Sequence, residues 1–331
     1  MQSTYIGGLD IGGTKMAAIV ADINGPLIRV VEPTVKTGTP RAPAEQGLRL
    51  LQQACSEVGI PFDQIRSVGV SSCGPFSYID QKLNLVTPNI CGGMREDSDL
   101  PNDWQAIPLE AVLREHFSTV VIENDCVAAI AAERAFGNAR GYDDCAYVTW
   151  STGIGMGFYV DGKLLRGKNG NAGHAGHMLL AENIPAQCGC GNFGDVESLT
   201  SGRNLRARFG RSSTDIFTSA RAGEEEALAI VKEAAKWFGR ALFNVTATLD
   251  MKLFVIGGSV WQHHGDWMKP MVMQELETRF PALTNEVSIV DARLGSHVAD
   301  IGALYLVMEP DWVDCWQQGD LWEKLRALSE Q

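Results

Sequence analysis

The feature that most limits how this chain can fold is a layout that occurs twice. A short apolar strand runs into a glycine-rich turn, and a second apolar strand follows and ends in another turn. In the first copy, Tyr5, Ile6 and Leu9 lead into Asp10-Ile11-Gly12-Gly13-Thr14-Lys15, and Met16–Val20 resumes the apolar run before Asp22-Ile23-Asn24-Gly25. In the second, Ala146–Trp150 leads into Ser151-Thr152-Gly153-Ile154-Gly155-Met156-Gly157, followed by Phe158–Val160 and then Asp161-Gly162. Each copy reads as two strands around a glycine turn, closed by a hairpin turn. The chain holds 35 glycines, where average usage of about 7% gives roughly 23. The excess falls in such short runs and not in a linker.

Strands and helices alternate between and beyond these anchors. The pattern predicts a helix over 44–58, a strand over 65–71, a strand over 119–122 feeding a helix over 128–136, a long helix over 224–249 and a strand over 253–256 that ends at Gly257-Gly258. The tail from Gly302, with Trp312, Trp316 and Trp322, reads as helix returning onto the structure. This alternation defines an α/β architecture. At 331 residues the chain is long for a single core, and two lobes are expected. The first is placed at 1–118, joined by the C-terminal segment 302–331; the second is placed at 119–301 and carries a loop over 172–197.

Several function classes are disfavoured by composition. Twenty-eight Lys and Arg stand against 40 Asp and Glu, a net charge of −12, which argues against broad phosphate-backbone binding and hence against a nucleic-acid partner. Hydrophobic residues at 45% and charged residues at 21% fit an ordinary globular protein. Eight scattered cysteines are too few for a disulfide scaffold and fit a reducing cytoplasm. No run reaches the roughly 20 apolar residues of a membrane span, and the start MQSTYIGGLDIGG lacks a signal core. A soluble, unexported protein is expected.

Three constellations can carry chemistry. Glycines between two strands let backbone amides approach a ligand closely, and Thr14 and Lys15 add a hydroxyl and a cation. Asp10 to Lys15 can therefore hold a polyphosphate, with Thr152-Gly153-Ile154-Gly155 as its counterpart in the second half. Neither run is a Walker loop or a G-x-G-x-x-G helix entry, and each by itself also fits a plain tight hairpin. Glu123-Asn124-Asp125 follows a strand, at the end where open α/β sheets bind ligands; one of its carboxylates can be a base, and an ordinary helix cap is the competing reading. His177, Cys188 and Cys190 form a soft-ligand cluster with Asp195 at the fourth donor position. It reads either as a zinc site or as reduced thiols in a packed loop.

Together these segments resemble the ROK family (repressors, open reading frames and sugar kinases). The resemblance rests on Asp10–Lys15, Glu123–Asp125, Ser151–Gly155, Ala172-Gly173-His174-Ala175-Gly176-His177, Cys188-Gly-Cys190-Gly191-Asn192-Phe193-Gly194-Asp195-Val196-Glu197 and Val255-Ile256-Gly257-Gly258, in order and in register from about residue 5 to residue 308. It implies the actin-like, hexokinase-type ATPase fold and an ATP-dependent sugar kinase. On that resemblance Asp125 is the general base facing the sugar hydroxyl, and Asn124, Gly74, Asn89, His177 and Glu197 are sugar-contacting positions. Asp10, Gly12, Gly13, Thr14, Lys15, Thr152 and Gly153 fall at phosphate and magnesium positions, and Gly257 and Gly258 at the adenosine side. ATP and magnesium are the implied cofactors, a homodimer is the implied assembly, and zinc on His177, Cys188, Cys190 and Asp195 is one outcome for the loop.

Three departures from the family pattern matter. His174 stands where glucose kinases of the family carry glutamate, a change also found in bacterial N-acetylmannosamine kinases, so the resemblance points toward an N-acylated or otherwise modified hexose as well as glucose. Asp195 replaces the third cysteine of the zinc loop. Only nine residues precede Asp10, so no DNA-binding domain is expected. The expected reaction is phosphorylation of a hexose or N-acylhexosamine, at the 6-hydroxyl, with slow ATP hydrolysis in the absence of sugar. A sugar sensor without turnover is the rival reading, which the retention of Asp125 disfavours; another actin-fold phosphotransferase is disfavoured by the pattern from His174 to Glu197.

Overall fold

The computed structural model describes residues 5–95 and 98–329. Residues 1–4 and 330–331, part of the expected N-terminal start and C-terminal segment, lie outside the described residues. The strands are β1 (Tyr5–Ile11), β2 (Lys15–Asp22), β3 (Gly25–Pro33), β4 (Ile65–Ser72), β5 (Phe76–Ile79), β6 (Lys82–Leu85), β7 (Thr119–Asn124), β8 (Cys145–Trp150), β9 (Ile154–Val160), β10 (Lys163–Leu164), β11 (Leu253–Gly257) and β12 (Ser288–Asp291). Two five-stranded sheets form, in the orders β3-β2-β1-β4-β7 and β10-β9-β8-β11-β12, and β5 pairs with β6 in a separate hairpin.

The repeated layout is thus repeated topology. In each sheet the first three strands make an antiparallel meander, and two further strands add in parallel on the other side of the first. The parallel additions need helical crossovers, which the alternating pattern supplies. The helix Ala42–Glu57 crosses from β3 toward β4, and Glu225–Leu249 precedes β11. In β2, Met16–Ala21 is buried without a polar interruption. That pattern suits a strand covered on both faces.

The chain divides into two compact units. The first comprises residues up to Phe136, Arg166–Asn171 and Ser296 onward; the second comprises Gly137–Leu165 and Ala172–Gly295. The boundary at 118/119 expected from the sequence is therefore displaced, because β7 hydrogen-bonds along β4 from Ser67↔Thr119 to Ser72↔Asn124 and so belongs to the first sheet. The helix expected over 128–136 begins at Asp125, directly from the end of β7. The tail is three α-helices, Val298–Tyr305, Pro310–Gly319 and Lys324–Ser329, instead of one continuous segment from Gly302.

The helix Val298–Tyr305 lies close on the first sheet because glycines leave room for it. A Cβ on Gly69 of β4 would fall 1.8 Å from the Ala303 carbonyl oxygen, and one on Gly302 would fall 2.7 Å from that of Ala128. Side chains there would push the helix off both the sheet and the helix Asp125–Phe136. The short stretch Arg166–Asn171 is pinned in the first unit by Asn171, whose Oδ1 accepts from Phe76 N at 2.7 Å and whose Nδ2 donates to Phe76 O at 2.8 Å. The second unit packs around Trp150, which stacks on Phe238 with ring centroids 4.1 Å apart. Among the described residues no helix is long and apolar enough to cross a membrane.

Candidate active site

In the first unit the register of three parallel strands brings the sequence-predicted residues to one edge. Asp10 pairs with Ser71, which pairs with Glu123, and the next row is Ile11, Ser72 and Asn124. Cys73 N then donates to Ile11 O at 3.0 Å. Asp10, Cys73-Gly74 and Asn124-Asp125 therefore sit together at the carboxyl ends of β1, β4 and β7, the end of a parallel sheet where ligands bind.

The first glycine turn is closed by Gly12 N donating to Lys15 O at 2.9 Å. Thr34 braces it, with Thr34 N donating to Thr14 O at 3.0 Å and Thr34 Oγ1 donating to Gly12 O at 2.7 Å. A Cβ on Gly13 would meet Asn89 Cβ at 2.9 Å, so the turn lies directly against Asn89. At Asn124-Asp125 the capping reading holds in the geometry: Cys126 N donates to Asn124 Oδ1 at 3.1 Å and to Asp125 Oδ1 at 2.8 Å. The cap fixes the Asp125 carboxylate without removing it from the strand ends, so it does not exclude a role as base.

This edge concentrates negative charge. Burial, then the carboxylates of Asp300 and Asp125, push Asp10 well above its ordinary value of 3.8, against the pull of Arg29. Asp125 is also raised, by burial, against the pull of the Cys126 amide. The Cys73 thiol is pushed up to about 12 by burial and by the charges of Asp125 and Asp10, and so stays protonated at neutral pH.

Arg29, Asp300 and Ser71 belong to this arrangement and were missed in the sequence. Asp300 is 1% exposed; its Oδ2 accepts from Arg29 Nε at 2.9 Å and lies 3.4 Å from His297 Nδ1. Its Oδ1 and the Ser71 hydroxyl are buried without a hydrogen-bond partner. An all-oxygen donor set with surplus negative charge suits a hard divalent cation, so Asp10 and its surroundings fit magnesium. The available signal was a lone charge in an apolar run: Arg29 within Leu27–Val31, and Asp300 within Val298–Tyr305.

In the second unit the turn Ser151–Gly153 enters β9, and Ser151 N donates to Gly153 O at 3.0 Å. Gly257 pairs with Thr149, and a Cβ on Gly258 would lie 2.5 Å from the Trp150 carbonyl oxygen. Gly258 has φ +90, which an L side chain rarely adopts, so glycine is needed there on both counts. Within this unit the turn Ser151–Gly153 and Gly257-Gly258, both assigned to nucleotide from the sequence, are thus neighbours in space.

Four donors of the loop converge. One ligand atom each from His177, Cys188, Cys190 and Asp195 lies within 4.8 Å of the others. His177 Nδ1 is 3.2 Å from Asp195 Oδ2 and 3.6 Å from Cys188 Sγ, and Cys190 Sγ is 3.5 Å from Asp195 Oδ2. Zinc bonds of about 2.0–2.3 Å give tetrahedral edges of about 3.3–3.8 Å, so these residues fit the ion. The Asp195 Oδ1 atom accepts from Ser198 N at 2.7 Å, which orients Oδ2 into the cluster. His177 is raised, first by its hydrogen bond to Asp195; burial pushes Asp195 upward but is outweighed by His177 and the Ser198 amide, and its net shift is downward. Burial pushes the Cys188 thiol upward. His174 sits beside the cluster, its ring centroid 6.2 Å from that of His177.

Two sheets of identical order, each with a glycine turn after its first strand, define the actin-like ATPase fold with a duplicated core. Within that class the chain belongs to the ROK family, which it matches over residues 6–309. It is 31% identical over 308 residues to an N-acetylmannosamine kinase of Haemophilus influenzae, covering 91% of this chain and 94% of the relative. Among solved structures, the ROK hexokinase of Thermus thermophilus superposes with TM-score 0.75 at 30% identity, covering 91% of this chain and 97% of that one. A ROK family glucokinase from Streptomyces griseus, crystallised with glucose and AMPPNP, gives TM-score 0.65 at 26% identity, covering 91% and 98%.

Proposed function

We propose that the protein is an ATP-dependent sugar kinase that phosphorylates a hexose or N-acylhexosamine at its 6-hydroxyl. The observation that carries this reading is the position of Asp125, a carboxylate held by the Cys126 amide in the residue directly after β7, one position beyond the row of Ile11, Ser72 and Asn124 and close enough to Asp10 for their charges to interact. Phosphoryl transfer needs positioning and charge stabilisation more than covalent chemistry. Asp125 accepts the proton of the attacking hydroxyl, and Asn124, Asn89 and Gly74 border the sugar beside it. Burial raises Asp125, so the acid limb of the rate profile belongs above the range of an ordinary aspartate, since the base must be ionised to act. The glycine turn and Lys15 would hold the phosphates, and Asp10 would hold magnesium, which would supply positive charge against the triphosphate.

His174 decides between sugars. An imidazole in place of a carboxylate loses an acceptor for sugar hydroxyls, which favours an N-acylated substrate over plain glucose, while the relatives of similar identity include a glucokinase as well as an N-acetylmannosamine kinase. For the loop we propose zinc on His177, Cys188, Cys190 and Asp195, supported by their convergence.

The test is ADP release from the purified protein with Mg-ATP across glucose, mannose, N-acetylglucosamine and N-acetylmannosamine. The expected result is turnover with at least one sugar, greatest with an N-acylhexosamine, and only slow ATP hydrolysis without sugar. Absence of sugar-dependent turnover across the panel would count for a sensor and against a kinase. Elemental analysis of the same preparation checks for one zinc per chain.

A further inference from the structure

We propose that Glu197 is the positioning residue of the second glycine turn, and that it sets nucleotide affinity through the main chain of Gly153 and Ile154. The proposal rests on the kinase reading, in which that turn serves the nucleotide, and it adds a role to a residue so far placed only with the sugar.

The segment 197–203 holds the turn from below at every residue but one. Trp150 Nε1 donates to Thr200 O at 2.9 Å, Gly202 N donates to Ser151 O at 2.9 Å, and Arg203 N donates to Thr152 O at 3.3 Å. The remaining tie is Ile154 N, which donates to Glu197 Oε2 at 2.9 Å. It is the one bond of the four whose acceptor is a side-chain carboxyl oxygen, so it is the one that a substitution can remove. The same carboxyl oxygen also lies close to Gly153. A Cβ on Gly153 would fall 2.6 Å from Glu197 Oε2, so a side chain there would displace the carboxyl group.

Glu197 is itself held on several sides, as a positioning residue must be. Its main-chain oxygen accepts from Ser201 N at 3.0 Å and from Asn204 Nδ2 at 3.2 Å, and its helix is capped by Asp195; in the metal-free chain its Oε1 also accepts from the Cys188 thiol at 3.4 Å, a bond that a zinc-bound thiolate would not make. The side chain thus links the cysteine loop at one oxygen to the turn at the other. Its placement explains why a loop that touches no phosphate position in the sequence pattern follows the glycine turn so closely in space.

The test compares Glu197→Ala, Glu197→Gln and wild type in two measurements. The first is calorimetric binding of Mg-AMPPNP without sugar. Loss of a bond to a charged acceptor predicts that Glu197→Ala binds about tenfold or more weakly, whereas Glu197→Gln, which keeps an oxygen for Ile154 N, stays within about threefold of wild type. The second is amide hydrogen exchange at Ile154, expected to quicken at least about tenfold in Glu197→Ala with no nucleotide present, and to be restored in Glu197→Gln. Equal AMPPNP affinity in Glu197→Ala and wild type, or unchanged exchange at Ile154, overturns the proposal and leaves Glu197 to the sugar alone. Wild-type protein that fails to bind AMPPNP overturns the kinase reading instead, and the exchange measurement still reports on the contact itself.

Discussion

The two units share a strand order, an antiparallel-then-parallel plan and a self-closed glycine turn, yet they brace those turns with different partners. In the first, the turn is closed on itself and braced by Thr34, and the neighbouring strand ends carry carboxylates that repel one another. In the second, the turn is gripped by a separate segment, 197–203, and the nearby titratable groups are a compact set of imidazole, thiols and two carboxylates, Asp195 and Glu197, each hydrogen-bonded to a main-chain amide. Duplication supplied the same scaffold twice, and the side chains placed at the strand ends divided the labour: surplus charge on one copy, fixed geometry on the other. Charge is what a magnesium–triphosphate site and a proton acceptor require, and rigidity is what nucleotide positioning requires.

The sharpest break of this comparison is Asp125→Asn. It is expected to cut kcat by about 10²–10⁴, the usual contribution of a general base, while sugar binding measured by calorimetry stays near wild type. Wild-type activity in the variant would remove Asp125 from its role. Arg29→Met comes next. Asp300 would then be buried without its cation, and loss of one partner of a buried pair costs about 3–5 kcal/mol. Thermal unfolding should show the loss, and the double variant Arg29→Met with Asp300→Leu should recover most of it. A double variant as unstable as the single one would show that Arg29 acts by packing instead of charge.

A smaller effect, of opposite sign, is expected at Asp10. Its folded value lies above its ordinary value of 3.8, so the native state holds this proton more tightly than the unfolded chain does. Asp10 therefore costs stability progressively as pH rises from that ordinary value through the folded one, and the full cost applies above both. The variant Asp10→Asn should unfold at a higher temperature than wild type at neutral pH in the absence of nucleotide, with the advantage vanishing as pH falls below the ordinary value, while turnover is lost. A variant less stable than wild type at neutral pH would contradict the charge crowding inferred for the first unit. The least effect is reserved for His174→Glu, expected to shift the ratio of glucose to N-acylhexosamine kcat/KM toward glucose by about tenfold, the value of one bond to a charged acceptor. An unchanged ratio would place sugar choice elsewhere.

Much of this was legible in the residues. Both glycine turns, the strand leading to Glu123-Asn124-Asp125 and the spacing of His177, Cys188 and Cys190 are local patterns, and local patterns survive in the linear order. The displaced lobe boundary was not legible. β7 is an apolar strand that suits either sheet, and only its hydrogen bonds along β4 assign it to the first. Arg29 and Asp300 are 271 positions apart and form one ion pair. Neither has a motif around it, so nothing short of the packed helix Val298–Tyr305 connects them.

By itself, then, the order of residues determined the duplicated strand–turn–strand plan, the chemistry on offer at each strand end and the identity of the four loop donors. These follow from backbone periodicity, glycine conformation and side-chain type, all of which act over a few residues. Tertiary structure alone decided which carboxylates crowd together, that burial and then Asp300 raise Asp10, and that Glu197 reaches the second turn. Electrostatic and hydrogen-bond energies depend on distance and burial, and those quantities exist only once segments remote in the chain are packed against one another.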